Sequence, residues 1–193
     1  MHPDIALLTK YSQPGPRYTS YPPAPHFAED FGINQWRQEL IESQESTRPL
    51  SLYVHIPFCR RLCPFCCFNR YLFNEDKARR YFIDLRKELD MYAERGFIFS
   101  DFYFGGGTPT IMMDELLSFI SYLNQKFTVH NISLETTPYE ITTERVLALK
   151  SAGVNRLSLG VQSFDDHALQ SMGRTLCTAQ EAKDKITLAQ GQF

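Results

Sequence analysis

Four of the chain's five cysteines, Cys59, Cys63, Cys66 and Cys67, fall in the single stretch Phe58-Cys59-Arg60-Arg61-Leu62-Cys63-Pro64-Phe65-Cys66-Cys67-Phe68-Asn69. The spacing C-x3-C-x2-C of the first three brings soft thiolate donors round a single point, which suits an iron–sulfur cluster or zinc. A structural zinc site usually takes its four ligands as two separated pairs, and neither a second pair nor a His-x3-5-His follows. A disulfide framework needs an oxidising compartment, of which the sequence shows no sign. Cys66 and Cys67 are adjacent, so both cannot serve one ion without strain, and three clean ligands remain with an open position. The spacing favours a cluster over zinc or plain thiols. Cys177, far from the loop, reads as a packed thiol.

The elements that must hold this loop follow from periodicity. Residues 50–56 alternate, with Leu52, Val54 and Ile56 on one face and Tyr53 and His55 on the other, and Pro57 closes the strand. His55 is the obvious fourth-ligand candidate, but a histidine there more often supports a site than ligates in it. Further strands are expected at 101–104, 131–135 and 156–159. Helices are expected at 4–11, 33–43, 75–95, from 113 onward, and at 142–152, 165–172 and 179–189. Residues 13–16 break the chain, and 17–23 read as an extended, Pro-rich arm. Alternating strands and helices imply a parallel sheet, doubly wound or part of a barrel, with function at the strands' C-terminal ends. The suggestive residues stand there: the cysteines, Gly105-Gly106-Gly107-Thr108-Pro109, Glu135 and Gln162. The glycines lack the pattern of a phosphate loop but let backbone approach a ligand closely. Glu135 reads as an exposed strand-end carboxylate or an acceptor for ribose hydroxyls. Gln162 and Arg174 are by themselves ordinary surface residues.

The 193 residues, 43 % hydrophobic and 22 % charged with a net charge of −2, are those of an ordinary globular domain and do not suggest a nucleic-acid binder. No apolar run reaches the ~18 residues of a membrane helix, and the first residues lack the basic and apolar regions of a signal peptide. A reducing cytoplasm, no membrane partner and a monomer are expected.

The three-cysteine spacing with Phe65 before the third ligand resembles the signature of radical S-adenosylmethionine (SAM) enzymes. Taken with Tyr53-Val54-His55-Ile56-Pro57-Phe58-Cys59, Gly105 to Thr110, Glu135 with Pro138, Gly160-Val161-Gln162-Ser163-Phe164 and the upstream Pro16-Arg17-Tyr18-Thr19-Ser20-Tyr21-Pro22, it is similar to the oxygen-independent coproporphyrinogen III oxidase family. The resemblance implies a [4Fe–4S] cluster on Cys59, Cys63 and Cys66. It also implies SAM contacts at Tyr53, Phe65, Gly106, Gly107, Thr108 and Glu135, and a second SAM whose contacts include Gln162 and Arg174. In that family the reduced cluster cleaves SAM to a 5′-deoxyadenosyl radical, and two propionates of coproporphyrinogen III become vinyls. A porphyrinogen substrate and an electron donor are the partners implied. Phe68 stands where the oxidase carries a fourth cysteine, and Phe68-Asn69 is more similar to a haem-chaperone branch; a haem-acting methyltransferase branch shares the same core. The family barrel has six strand–helix units. This chain is therefore expected to be an α/β, partial (β/α) barrel of about four units, with an N-terminal arm and helix over 1–49 and an incomplete core over 50–193. It would be an inactive fragment if later units are required, with Leu157 and Leu159 beside an open edge.

Overall fold

The computed structural model describes residues 5–11, 32–46 and 48–193; the expected break at 13–16 and arm at 17–23 lie outside them. The chain divides into two compact units, Met1–Glu42 and Ser43–Phe193. Helix α1 spans Ile5–Tyr11 and α2 spans Ile33–Glu45. On α2, Ile33, Trp36 and Ile41 are exposed and Leu40 is half-buried.

The second unit continues with β1 (Leu50–Ile56), β2 (Phe58–Cys59), β3 (Tyr71–Leu72), α3 (Glu75–Ala93), β4 (Phe99–Gly106), α4 (Met113–Lys126), β5 (Asn131–Thr136), α5 (Thr143–Ser151), β6 (Arg156–Leu159), α6 (Asp166–Ser171) and α7 (Ala179–Ala189). Side-chain caps explain where several helices start: Asn74, Thr142 and Asp165 accept from amides in the first turns of α3, α5 and α6. Thr178 and Glu181 form a reciprocal capping box on α7.

Strands β1, β4, β5 and β6 pair in that order and all in parallel. The order follows the sequence without the reversal of a doubly wound sheet, which is the arrangement of a partial (β/α) barrel. Val54 and Ile56, Phe102 and Phe104, and Ile132 and Leu134 are buried on one face beneath the helices, where Phe82, Leu116, Phe119, Ile120, Leu123 and Leu149 complete the core. Burying each such side chain is worth about 1.5–3 kcal/mol. The other face is polar: the register aligns Tyr53 with Tyr103, Tyr103 with Ser133 and Ser133 with Arg156, lining a hollow of about 710 Å³. On β6, Leu157 and Leu159 pack with Leu188 and Phe193 against Ile141, Val146 and Ala189.

Three features differ from the sequence expectation, the first being the short β2–β3 pair. β4 is longer at both ends, because Phe99 pairs with Leu50 and the glycines Gly105 and Gly106 stay in register with His55 and Ile56. Short 3-10 turns at Pro109–Met112 and Pro138–Glu140 follow β4 and β5, each opened by a proline whose fixed φ suits a first turn.

Candidate metal centre

Parallel strands place their C-terminal ends on one edge, and the chemistry-bearing residues gather there. The cysteine loop is drawn onto that edge by β2, which pairs with β3. The amides of Gly107 and Thr108 donate to the carbonyls of Ile56 and Phe58, each at 2.8 Å. This approach explains Gly107, where a Cβ would lie 2.6 Å from the Phe58 carbonyl oxygen. Gly106 has φ +110°, a region that favours glycine, and a Cβ there would strike the His55 ring.

Thr108 is buried, and its hydroxyl donates to Cys59 Sγ at 3.8 Å. Burial pushes the Cys59 thiol's pKa up, the Thr108 hydroxyl pulls it down, the Cys63 and Cys66 thiols push it up again and Arg70 lowers it. Arg174 places Nη1 3.7 Å from Cys63 Sγ and donates from Nη2 to the Gly160 carbonyl. Arg70 Nη2 donates to the Cys63 carbonyl at 2.7 Å, while its buried Nε has no hydrogen-bond partner.

Among the described residues no three His, Cys, Asp or Glu side chains converge closely enough to hold one metal ion. A mononuclear zinc site needs every sulfur at about 2.3 Å from one centre. The thiolates of a cubane stand on separate irons and have no such requirement. Three thiols flanked by two guanidiniums, one with an unpartnered buried N–H, fit an anionic sulfur-rich cluster. Cys67 is exposed, and Cys177 donates to the Thr178 carbonyl at 3.6 Å.

His55 is committed elsewhere: Nδ1 bonds the Tyr53 hydroxyl at 3.0 Å and Nε2 the Asn69 carbonyl at 2.9 Å. It ties the strand before the loop to the chain leaving it. The Tyr53 ring stacks on Tyr103, their centroids 5.9 Å apart. Burial, and then the nearby Glu135, raise the Tyr53 phenol's pKa. Glu135 accepts from the Tyr103 hydroxyl at 2.6 Å and from the Gly106 amide at 3.4 Å. Each of its oxygens thus accepts one bond from the protein and keeps a further lone pair for another donor. Phe65 is exposed on the loop. Gln162, past β6, is the one non-glycine residue with positive φ (75°) among the described residues, a strained conformation of the kind that marks functional turns. Its side-chain amide nitrogen lies 3.4 Å, and an Arg174 guanidinium nitrogen 4.0 Å, from where a Gly160 Cβ would stand.

The site also contains residues that sequence reasoning missed. Tyr103 could have been found from β4's alternation, which puts it on the same face as Tyr53. Arg70 and Glu140 carried no signal, being a loop arginine and a glutamate in a 3-10 turn.

A family model described as the Radical SAM superfamily matches residues 53–191. The chain belongs to the radical SAM superfamily. Membership brings a [4Fe–4S] cluster and SAM as its cofactors. This radical SAM chain is 40 % identical over 180 residues to the oxygen-independent coproporphyrinogen III oxidase of Escherichia coli (strain K12), covering 89 % of the chain and 38 % of that protein. It is 37 % identical over 182 residues to the oxidase of Helicobacter pylori (strain ATCC 700392 / 26695), covering 89 % of the chain and 40 % of that protein. The solved structure of coproporphyrinogen III oxidase (HemN) from Escherichia coli, described as a radical SAM enzyme, superposes with a TM-score of 0.77 at 34 % identity, covering 96 % of the chain and 42 % of that structure. The chain thus spans about two fifths of the length of these relatives. Among the described residues no helix is long and apolar enough to cross a membrane.

Proposed function

We propose that this chain carries the cluster- and SAM-binding part of an oxygen-independent coproporphyrinogen III oxidase, which converts two propionates of coproporphyrinogen III to vinyls. The observation that carries the reading is the 40 % identity to the E. coli oxidase over 89 % of the chain. The site geometry supports it, since Cys59, Gly106, Gly107, Thr108 and Glu135 gather at the C-terminal ends of the strands.

In this reading Cys59, Cys63 and Cys66 hold the cluster, and Cys67 and Cys177 do not. When bound, the cluster and SAM would supply one-electron chemistry able to abstract hydrogen from the substrate. The chain's own residues bind and orient. Tyr53, Phe65, Gly106, Gly107, Thr108 and Glu135 line the first SAM, with Glu135 held in place by the Tyr103 hydroxyl and the Gly106 amide that donate to it. Gln162 and Arg174 serve the second SAM, and Arg174 also presents positive charge to Cys63. Arg70 and Arg174 lower the cost of placing an anionic cluster in a partly buried loop. Helices α1 and α2 precede the core in sequence, and an electron donor would reduce the cluster.

The test is anaerobic incubation of the reconstituted protein with reductant, SAM and coproporphyrinogen III. Release of 5′-deoxyadenosine with vinyl-bearing product supports the proposal. Deoxyadenosine without decarboxylation would overturn the substrate and leave the superfamily chemistry. A second reading, a haem carrier that keeps the cluster, is favoured by one observation: Phe68, at the position where the oxidase has a cysteine, is 67 % exposed beside the loop. Tight haem binding with no turnover would support it.

A further inference from the structure

We propose that Glu140 is a positioning residue for the metal centre, acting through Arg60 to fix the direction in which the cysteine loop leaves Cys59. The proposal rests on the reading that Cys59 is a cluster ligand, but it can be tested without the cluster.

Glu140 lies beyond β5, remote in sequence from the loop, and its side chain is 2 % exposed. A carboxylate so buried is costly unless paired, and two arginines from different elements pair it. Arg60 Nε donates to Oε1 at 2.5 Å. Arg145, in the first turn of α5, donates to Oε2 and reaches the carbonyls of Thr110 at 3.4 Å and Glu140 at 3.3 Å. The base is firm, because the Thr110 and Thr136 hydroxyls are bonded at 2.5 Å where β5 ends. The Arg60 guanidinium lies 6.0 Å from the centre of the Phe73 ring and 5.8 Å from that of Tyr139.

Arg60 follows directly on the last paired residue of β2, whose Cys59 carbonyl accepts from the Phe73 amide at 2.8 Å. Past that bond the loop's ties to the fold run largely through side chains: Arg60 to Glu140, Arg61 to Thr175, and Arg70 and Arg174 to Cys63. The Arg60 tie is the first after Cys59. Glu140 therefore has two arms, one to α5 that serves the fold and one to the loop that sets the first thiol.

The arms separate by substitution. Arg60→Met, Arg145→Met and Arg60→Lys are compared in the full chain by three measurements. These are iodoacetamide alkylation of Cys59 and Cys67 in metal-free protein, followed by peptide mass, the rate of iron loss to a chelator after reconstitution, and the urea unfolding midpoint. Arg60→Met should speed Cys59 alkylation by roughly tenfold, as loss of one charge-assisted bond to a local opening would. It should also speed iron loss and leave Cys67 alkylation close to wild type, with the urea midpoint lowered less than in Arg145→Met. Removing a cation alone would slow alkylation by disfavouring the thiolate, so acceleration reports position. Arg145→Met should lower the urea midpoint, and Arg60→Lys should fall between wild type and Arg60→Met. An unchanged Cys59 rate in Arg60→Met would overturn the proposal. So would equal acceleration of Cys59 and Cys67 with a lowered midpoint, which would make the pair a fold-stabilising bridge only. If wild type binds no iron, the cluster reading fails, and the alkylation rates still decide the clamp.

Discussion

Replacing Gly107 by alanine should loosen the joint between the glycine turn and the cysteine loop. The added Cβ would lie 2.6 Å from the Phe58 carbonyl oxygen, 2.8 Å from its nitrogen and 2.8 Å from the Pro57 carbonyl carbon. All three are main-chain atoms of the β1–β2 junction and cannot rotate away. Ordinary contact begins at 3.4 Å, so the two segments would have to part by 3.4 − 2.6 = 0.8 Å. The same movement would stretch the Gly107–Ile56 and Thr108–Phe58 bonds from 2.8 Å to 2.8 + 0.8 = 3.6 Å, past the useful range. Relief of the clash and retention of the bonds are alternatives. Keeping the overpacked contact costs about 1–3 kcal/mol, and losing two backbone bonds costs about the same, at roughly 0.5–1.5 kcal/mol each. A loss of about 2 kcal/mol corresponds to a Tm decrease of roughly 4–8 °C for a chain of this size. Urea and thermal unfolding of the metal-free protein measure it, with Gly32→Ala, where a Cβ meets nothing within 4 Å, as the control. Because the displaced segment carries Cys59, iron bound after reconstitution should fall as well. A Gly107→Ala protein as stable as Gly32→Ala, with full iron, would refute the argument.

Anaerobic reconstitution should give about four irons per chain. Cys59→Ala, Cys63→Ala and Cys66→Ala should each abolish binding while Cys67→Ala and Cys177→Ala keep it; equal iron loss in Cys67→Ala would overturn the three-ligand assignment. The Tyr103 phenol, bonded to Glu135 and partly buried, is pushed up from 10.0 to about 12. Its folded pKa exceeds the unfolded one, so its contribution to stability is complete below pH 10 and is lost as pH rises through 12. Tyr103→Phe should be less stable than wild type by about 1 kcal/mol at pH 8, a low figure because the pair is partly exposed. The gap should close between pH 10 and 12 in urea titrations; a gap independent of pH would show that the hydroxyl's bond to Glu135 contributes nothing.

The sequence by itself determined the secondary structure of the core and which strand ends carry chemistry. Period-two alternation in 50–56 and 131–135 and period-3.6 stripes such as Ala78, Phe82 and Leu89 depend only on which side of each element is apolar, and burial honours that choice. The cysteine spacing is local too, so a cluster loop on a strand end was legible before any contact was known. What only the tertiary structure decided are pairings between residues distant along the chain, whose side chains follow no period. Arg174 meets Cys63, Tyr103 occupies the Glu135 carboxylate, and Glu140 is shared between Arg60 and Arg145. The short β2–β3 pair was invisible for the same reason: two residues cannot show an alternation, and the pairing exists because backbone groups leaving β1 need partners that the chain after the cysteine loop supplies. The three thiols show the limit most plainly. Spacing told that they share a loop, but the ties of that loop to distant residues, Arg60 to Glu140, Arg61 to Thr175 and Arg174 to Cys63, exist only in the tertiary structure.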